Sequence, residues 1–136
     1  MSPRLKKFVH LLIQQNLDAF LVLSSADIFY LTGFPASGAW LLVTPKRAYY
    51  LTDSRYSDEA RQGLGNRAVV RLCRHGLESE LTALLHQCGI KRLGFDENHC
   101  PVARLKRLKS ACPKTVKLIA FNGAAAGLRV IKDAAE

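Results

Sequence analysis

Few side chains capable of chemistry stand close together in this sequence, and one group that does is Asp53-Ser54-Arg55-Tyr56. Arg55 could offer its planar guanidinium fork to a carboxylate. The same residues also suit a structural role, in which Asp53 or Ser54 caps a following helix, Arg55 pairs with Asp53 or Asp58, and Tyr56 packs. Spacing alone favours that structural role and leaves both open. A second phrase, Tyr30-Leu31-Thr32-Gly33-Phe34, lies upstream, with Ser37, Gly38 and Trp40 just after it. The stretch from Asp27 to Tyr56 holds the only Trp, all four Tyr and two of the six Phe. A polar cluster at either end of such a stretch is either punctuation or part of a binding surface.

Other chemistries are poorly served. Cys73 and His75, His86 and Cys88, and His99 and Cys100 are close pairs, but a zinc site needs ligands that converge tetrahedrally. His86 and Cys88 on a helix would point about 200° apart, and Cys88 continues a leucine stripe, where a free Cys acts as a small hydrophobe. No pair of carboxylates stands with a His at a helical metal spacing, so no metal ligand is assigned. Pro35 takes the place of the first Gly that a Gly-x-Ser-x-Gly elbow around Ser37 would need. Gly123 to Gly127 lacks the Lys-Ser/Thr of a phosphate-binding loop. Asp96-Glu97 before Asn98 reads as a turn into a helix. No catalytic residue is assigned.

The elements that must position the two phrases follow from periodicity. At 136 residues, about half of them apolar, the chain is expected to form one domain with a single core. Ser2-Pro3 opens a helix with Leu5, Phe8, Val9, Leu12 and Ile13 on one face, and Asn16 suits a left-handed cap. Ala19 to Leu23 reads as a strand buried on both faces, broken by Ser24 to Asp27. Ala39 to Thr44 and Ala48 to Leu51 read as a hairpin around Pro45-Lys46-Arg47. Ser54 to Leu64 is a predicted helix, Ala68 to Cys73 a strand, and Leu77 to Cys88 a helix stopped by Gly89. Arg92 to Phe95 is a strand, Val102 to Ala111 a helix and Val116 to Ala120 a last strand. This alternation predicts an α/β layered architecture with a mixed sheet.

Charge and cysteine usage narrow the partners. Net charge is +9, and the basic run Arg104 to Lys109 is the best argument for nucleic acid. On the predicted helix, however, Val102, Leu105, Leu108 and Cys112 form a buried stripe, and Arg104, Lys106, Arg107 and Lys109 are its solvated outer face. No aromatic residues interleave with them, so nucleic acid is not an expected partner. Apolar runs of about five residues fall far short of the roughly 20 of a membrane span. The four cysteines, without a Cys-x-x-Cys, fit reduced thiols in a cytoplasm, and no signal peptide is read at the N-terminus. Leu128 to Glu136 begins a helical pattern that stops, so continuation in a longer parent is expected.

Asp27-Ile28-Phe29-Tyr30-Leu31-Thr32-Gly33-Phe34, the apolar hairpin, and Leu51-Thr52-Asp53-Ser54-Arg55-Tyr56 with Ala60 shortly after resemble the N-terminal domain of the creatinase/prolidase/aminopeptidase P family. Leu93-Gly94-Phe95-Asp96 and the tail Leu128-Arg129, Ile131-Lys132 and Glu136 fit in the same order. The resemblance implies a three-layer α/β/α domain of ribonuclease H-like topology with a mixed, about six-stranded sheet. It implies residues 1–122 as that domain and 123–136 as a linker into an absent second domain. There, two divalent metals, manganese or cobalt, on five Asp, His and Glu ligands would hydrolyse the bond before a proline; none is assigned to this fragment. The fragment is then expected to be non-catalytic, supplying homodimer contacts and part of the pocket for a proline-containing peptide. Substrate-pocket or dimer-interface candidates carried over by position are Tyr30, Phe34, Ser37, Gly38, Trp40, Asp53, Arg55 and Tyr56. The alternative keeps the same fold in a catalytically inactive protein that binds protein or nucleic acid.

Overall fold

The two short apolar runs, Ala19–Val22 (β1) and Trp40–Val43 (β2), are buried at every position and form the middle of a six-stranded sheet in the order β4-β3-β2-β1-β5-β6. The computed structural model describes residues 2–122; the linker expected over 123–136 lies outside them. The other strands are Ala48–Thr52 (β3), Val69–Leu72 (β4), Arg92–Asp96 (β5) and Lys117–Phe121 (β6). The helices are Pro3–Gln14 (α1), Ser25–Thr32 (α2), Ser57–Leu64 (α3), Leu77–Gln87 (α4) and Val102–Ala111 (α5). Burial falls towards the edges, as β4 and β6 are only partly covered.

Pairing fixes the strand directions. β2 is antiparallel to both β1 and β3, while β3–β4, β1–β5 and β5–β6 are parallel. β2 is therefore the one strand of the six that runs against the rest, and the sheet is mixed as the hairpin predicted. Two-residue alternation sends Leu41, Val43, Ala48 and Tyr50 to one face and Trp40, Leu42, Tyr49 and Leu51 to the other. The first face packs on α1, α2 and α3 through Leu5, Phe8, Leu12, Ile28, Leu31, Ala60 and Leu64. The second packs on α4 and α5 through Leu81, Leu84, Leu85 and Leu108. The result is three layers, helices on both sides of the sheet.

Local signals explain most boundaries. Ser2 accepts a hydrogen bond from the Leu5 amide at the start of α1, and Asn16 takes a left-handed φ of 56° just beyond its end. Three sequence expectations need correction. Ser24 to Asp27 does not merely break β1: Ser24 caps α2, which runs to Thr32 where no helix was expected. α3 begins at Ser57, not Ser54, and its N-cap position is Tyr56 with no side-chain cap. On α5 only Leu108 is deeply buried, and Val102 is 70% exposed, because the partly covered β6 beside it offers little surface.

Close packing at the centre gives a direct test. Gly94 in β5 pairs with Phe20 in β1, and a Cβ at Gly94 would lie 2.7 Å from the Phe20 ring and 2.8 Å from a Leu17 methyl. Gly94→Ala is expected to lower stability by about 1–3 kcal/mol through overpacking. Urea unfolding followed by circular dichroism measures it, and an unchanged midpoint would contradict the tight approach.

Candidate functional site: a cleft at the carboxyl edge of the sheet

Because only β2 is reversed, the segment entering β2 and the segment leaving β3 emerge on the same edge of the sheet, together with the carboxyl ends of β1, β4, β5 and β6. The two phrases bracketing the hairpin thus meet in space. Between them opens a cleft of about 210 Å³ lined by Phe34, Pro35, Ser37, Tyr50, Tyr56 and Glu59.

Its upper wall is built from the end of α2. Thr32 is buried, donates its hydroxyl to the Ile28 carbonyl at 2.7 Å and accepts from the Phe34 amide at 3.1 Å. Gly33 then turns left-handed (φ 73°) and its amide closes on the Phe29 carbonyl. The end is fixed from across the molecule: Arg67 donates to the carbonyl oxygens of Thr32, Gly63 and Leu64. One guanidinium thus satisfies carbonyls at the ends of both α2 and α3, where the helix dipoles favour a cation. A side chain at Gly33 would place its Cβ 2.9 Å from Arg67 Nη1, so the left-handed turn and the clamp select glycine together.

Phe34 is aimed by contact. Its ring lies against Gly63 of α3, where a Cβ would come within 2.2 Å of it, and meets Tyr50 edge-on with centroids 5.8 Å apart. Burial raises the ionisation of Tyr50 above the usual phenol range; the hydrogen-bonded Ser37 amide opposes this and the Glu59 carboxylate adds to it. Tyr50 is a floor residue, 1% exposed. The lower wall is Tyr56 and, one helical turn on, Glu59.

The Asp53-Ser54-Arg55-Tyr56 turn does not cap α3 through a side chain. Asp53 instead accepts from the Arg55 amide at 2.9 Å and holds the Arg55 guanidinium at 2.8 Å, with side chains 38% and 73% exposed. The side-chain bond to Arg55 lowers the ionisation of Asp53, and the same bond raises that of Arg55. Arg55 also lies 5.2 Å from the Tyr56 ring centroid, so a solvent-facing cation borders the cleft. Asp58 pairs with Arg61, not Arg55.

Of the eight expected residues, Phe34, Ser37 and Tyr56 line the cleft, Asp53 and Arg55 flank it, and Gly38 supplies a left-handed turn (φ 60°) in the loop. Tyr30 faces α1, where the Arg4 guanidinium lies 4.2 Å from its ring centroid. Trp40 is 4% exposed and belongs to the core on the opposite face of the sheet. Tyr50, Glu59 and Arg67 were not singled out from sequence. Two-residue alternation marks Tyr50, and helical spacing from Tyr56 marks Glu59. Arg67 has no local signal, as Thr32 lies 35 residues away.

The cleft's ionisable groups are two phenols and a carboxylate, with no imidazole or thiol. With the Ser37 hydroxyl beside them, they can bind and orient a ligand. Elsewhere, burial pushes the Cys73 thiol up to about 11, with Glu80 adding to it, and the Cys88 thiol donates to the Tyr49 hydroxyl. The Cys–His pairs noted in sequence form no ligand cluster among the described residues; Asp27, Asp96 and His99 do come together. Arg107 of the basic helix is paired with Glu78. Among the described residues no helix is long and apolar enough to cross a membrane.

The fold is shared with known proteins. Residues 4–131 match the model of the creatinase/prolidase N-terminal domain. An uncharacterized peptidase of Bacillus subtilis, YqhT, is 27% identical over 98% of the chain, which spans 37% of that protein's length. The N-terminal domain of the cytoplasmic peptidase PepQ from Mycobacterium tuberculosis superposes with a TM-score of 0.86 at 26% identity, covering 95% of this chain and all of that one. An Xaa-Pro aminopeptidase structure from Streptococcus thermophilus gives 0.83 at 28% identity, covering 93% of this chain and 95% of that one.

Two outcomes test the cleft. Arg67→Ala is expected to cost about 2 kcal/mol, the scale of charged hydrogen bonds to buried carbonyls, with Arg67→Lys intermediate; chemical denaturation reads both. In a spectrophotometric titration, burial makes both Tyr49 and Tyr50 ionise late, and one of these two late phenols should vanish in Tyr50→Phe. Because its folded value is raised, the stability it contributes is full below pH 10 and is lost as pH climbs through the folded value. A titration unchanged by Tyr50→Phe would contradict the buried floor.

Proposed function

The chain belongs to the creatinase/prolidase N-terminal domain family, and from that premise we propose that it is the non-catalytic N-terminal domain of an Xaa-Pro metallopeptidase. In this reading the cleft of Phe34, Tyr50 and Tyr56 forms part of the wall of a peptide site whose chemistry is housed in a second domain. The observation that carries it is the cleft itself: two separated phrases converge on an open surface walled by Phe34, Tyr50 and Tyr56. The chain's span of 37% of the B. subtilis relative leaves room for that second domain.

Roles divide accordingly. Phe34 and Tyr56 contact the peptide, the Ser37–Gly38 turn lets the loop approach it, and Arg55, held by Asp53, attracts a carboxylate. Homodimer contacts are proposed on the same domain; Phe29, 52% exposed on α2, is a large apolar side chain suited to such a surface. Two divalent metals, manganese or cobalt, would supply the activated water in the second domain. Residues 2–122 do not fit such a centre, since Asp27, Asp96 and His99 are fewer than the five ligands it needs. Four free cysteines and the likeness to the cytoplasmic peptidase PepQ of M. tuberculosis support a cytoplasmic setting.

The test compares this chain and its full-length parent on Xaa-Pro peptides with manganese. The parent should cleave and the isolated chain should not, while Phe34→Ala and Tyr56→Ala in the parent should raise KM by about tenfold, the loss of roughly 1.4 kcal/mol of binding. Metal-dependent cleavage by the isolated chain would overturn the non-catalytic assignment. An inactive parent would refute the peptidase reading and leave a binding domain of the same fold.

A further inference from the structure

Connections part to opposite faces of the sheet at two pairs of adjacent parallel strands, β3 with β4 and β1 with β5, and the second pair carries a cluster of titratable side chains. From β1 the chain passes through α2, which packs on the face of Phe20 and Leu41. From the adjacent parallel strand β5 it passes through α5, which packs on the face of Leu21 and Leu93. The carboxyl ends of β1 and β5 therefore border a crevice of the kind in which open α/β sheets bind ligands. Three potential metal ligands from separate elements meet there: Asp27 in the first turn of α2, Asp96 at the end of β5 and His99 in the short 3-10 turn Glu97–His99. A donor atom of each lies within 4.8 Å of the others.

Burial makes this group unlike a surface acidic patch. Asp27 is 1% exposed and Asp96 3%, and two carboxylates so close in a poorly solvated setting are held by a shared proton, by the neighbouring imidazole or by a cation. His99 Nδ1 is 2.9 Å from Asp96 Oδ2, while the Asn98 amide holds the other Asp96 oxygen at 2.9 Å. The 2.9 Å contact between His99 and Asp96 is a direct hydrogen bond. An ion would replace its proton, and the two donors would then part to roughly 3.3–3.6 Å in a tetrahedral set, a small opening for a partly exposed imidazole. His99 keeps a side-chain exposure of 38%, which leaves an approach from solvent.

We propose that Asp27, Asp96 and His99 bind a single divalent first-row cation, with two carboxylate oxygens and one imidazole nitrogen completed by water. That donor set suits Zn²⁺ or Mn²⁺ over a purely oxygen-bound Ca²⁺. Such an ion would tie α2 to β5, and so join the two halves of the chain across the crevice.

Zinc or manganese chloride titrated into this chain tests it by calorimetry and by thermal unfolding. One equivalent should bind and raise the melting temperature. His99→Gln and Asp27→Asn should each weaken binding by about tenfold or more, with His86→Gln as a control that leaves it intact. His99 is partly exposed, so its variant should fold even if Asp27→Asn does not, and Mn²⁺ should selectively broaden the His99 imidazole resonances. No saturable binding of either ion, or binding undiminished in His99→Gln, would overturn the proposal.

Discussion

The guanidinium of Arg67 holds the carboxyl ends of α2 and α3 together, and the cleft depends on that bond set. Each helix ends with carbonyls that its own turns cannot satisfy. Here one planar cation reaches Thr32 on one helix and Gly63 and Leu64 on the other. With both ends fixed, Gly33 can reverse the chain, Phe34 can settle against the bare backbone of Gly63, and the loop to β2 passes over Tyr50. Loosening the clamp would leave Phe34 without a fixed wall. The site is a consequence of helix capping.

A second constraint is strand direction. β2 runs against its neighbours, and this single reversal brings residues 33–39 beside residues 53–59 although a hairpin separates them. It also leaves the turn at Pro45-Lys46-Arg47 on the far edge, away from the cleft. The β1–β5 crevice arises from the same sheet by a different rule, the divergence of α2 and α5 to opposite faces. Two candidate sites on one edge thus have separate structural origins.

Much of this architecture was legible in the sequence because burial repeats regularly. The fully buried runs of β1 and β2, the Leu5–Phe8–Leu12 face and the glycine stop after α4 follow from local pattern. α2 was missed because its eight residues are apolar on most sides, so no clear stripe marks it, and its polar start at Ser24 looks like a simple break. The cleft was half legible. Phe34, Ser37 and Tyr56 were found through family resemblance, whereas Trp40 went to the opposite face because alternation along β2 places it there. Arg67 and the joining of Asp27 to Asp96 and His99 were invisible for one reason: topology brings these residues together across separations that no spacing rule reaches.

As proposed, this domain walls a peptide site whose chemistry is housed in the second domain of the parent protein. Hydrogen exchange on the full-length parent, with and without a non-hydrolysable Xaa-Pro peptide, tests it most directly. Exchange of the amides from Phe34 to Ala39 (Pro35 has none) and from Arg55 to Glu59 should slow on binding, with the far-edge turn at Lys46 and Arg47 unchanged. Saturating peptide that leaves both segments unprotected would contradict it.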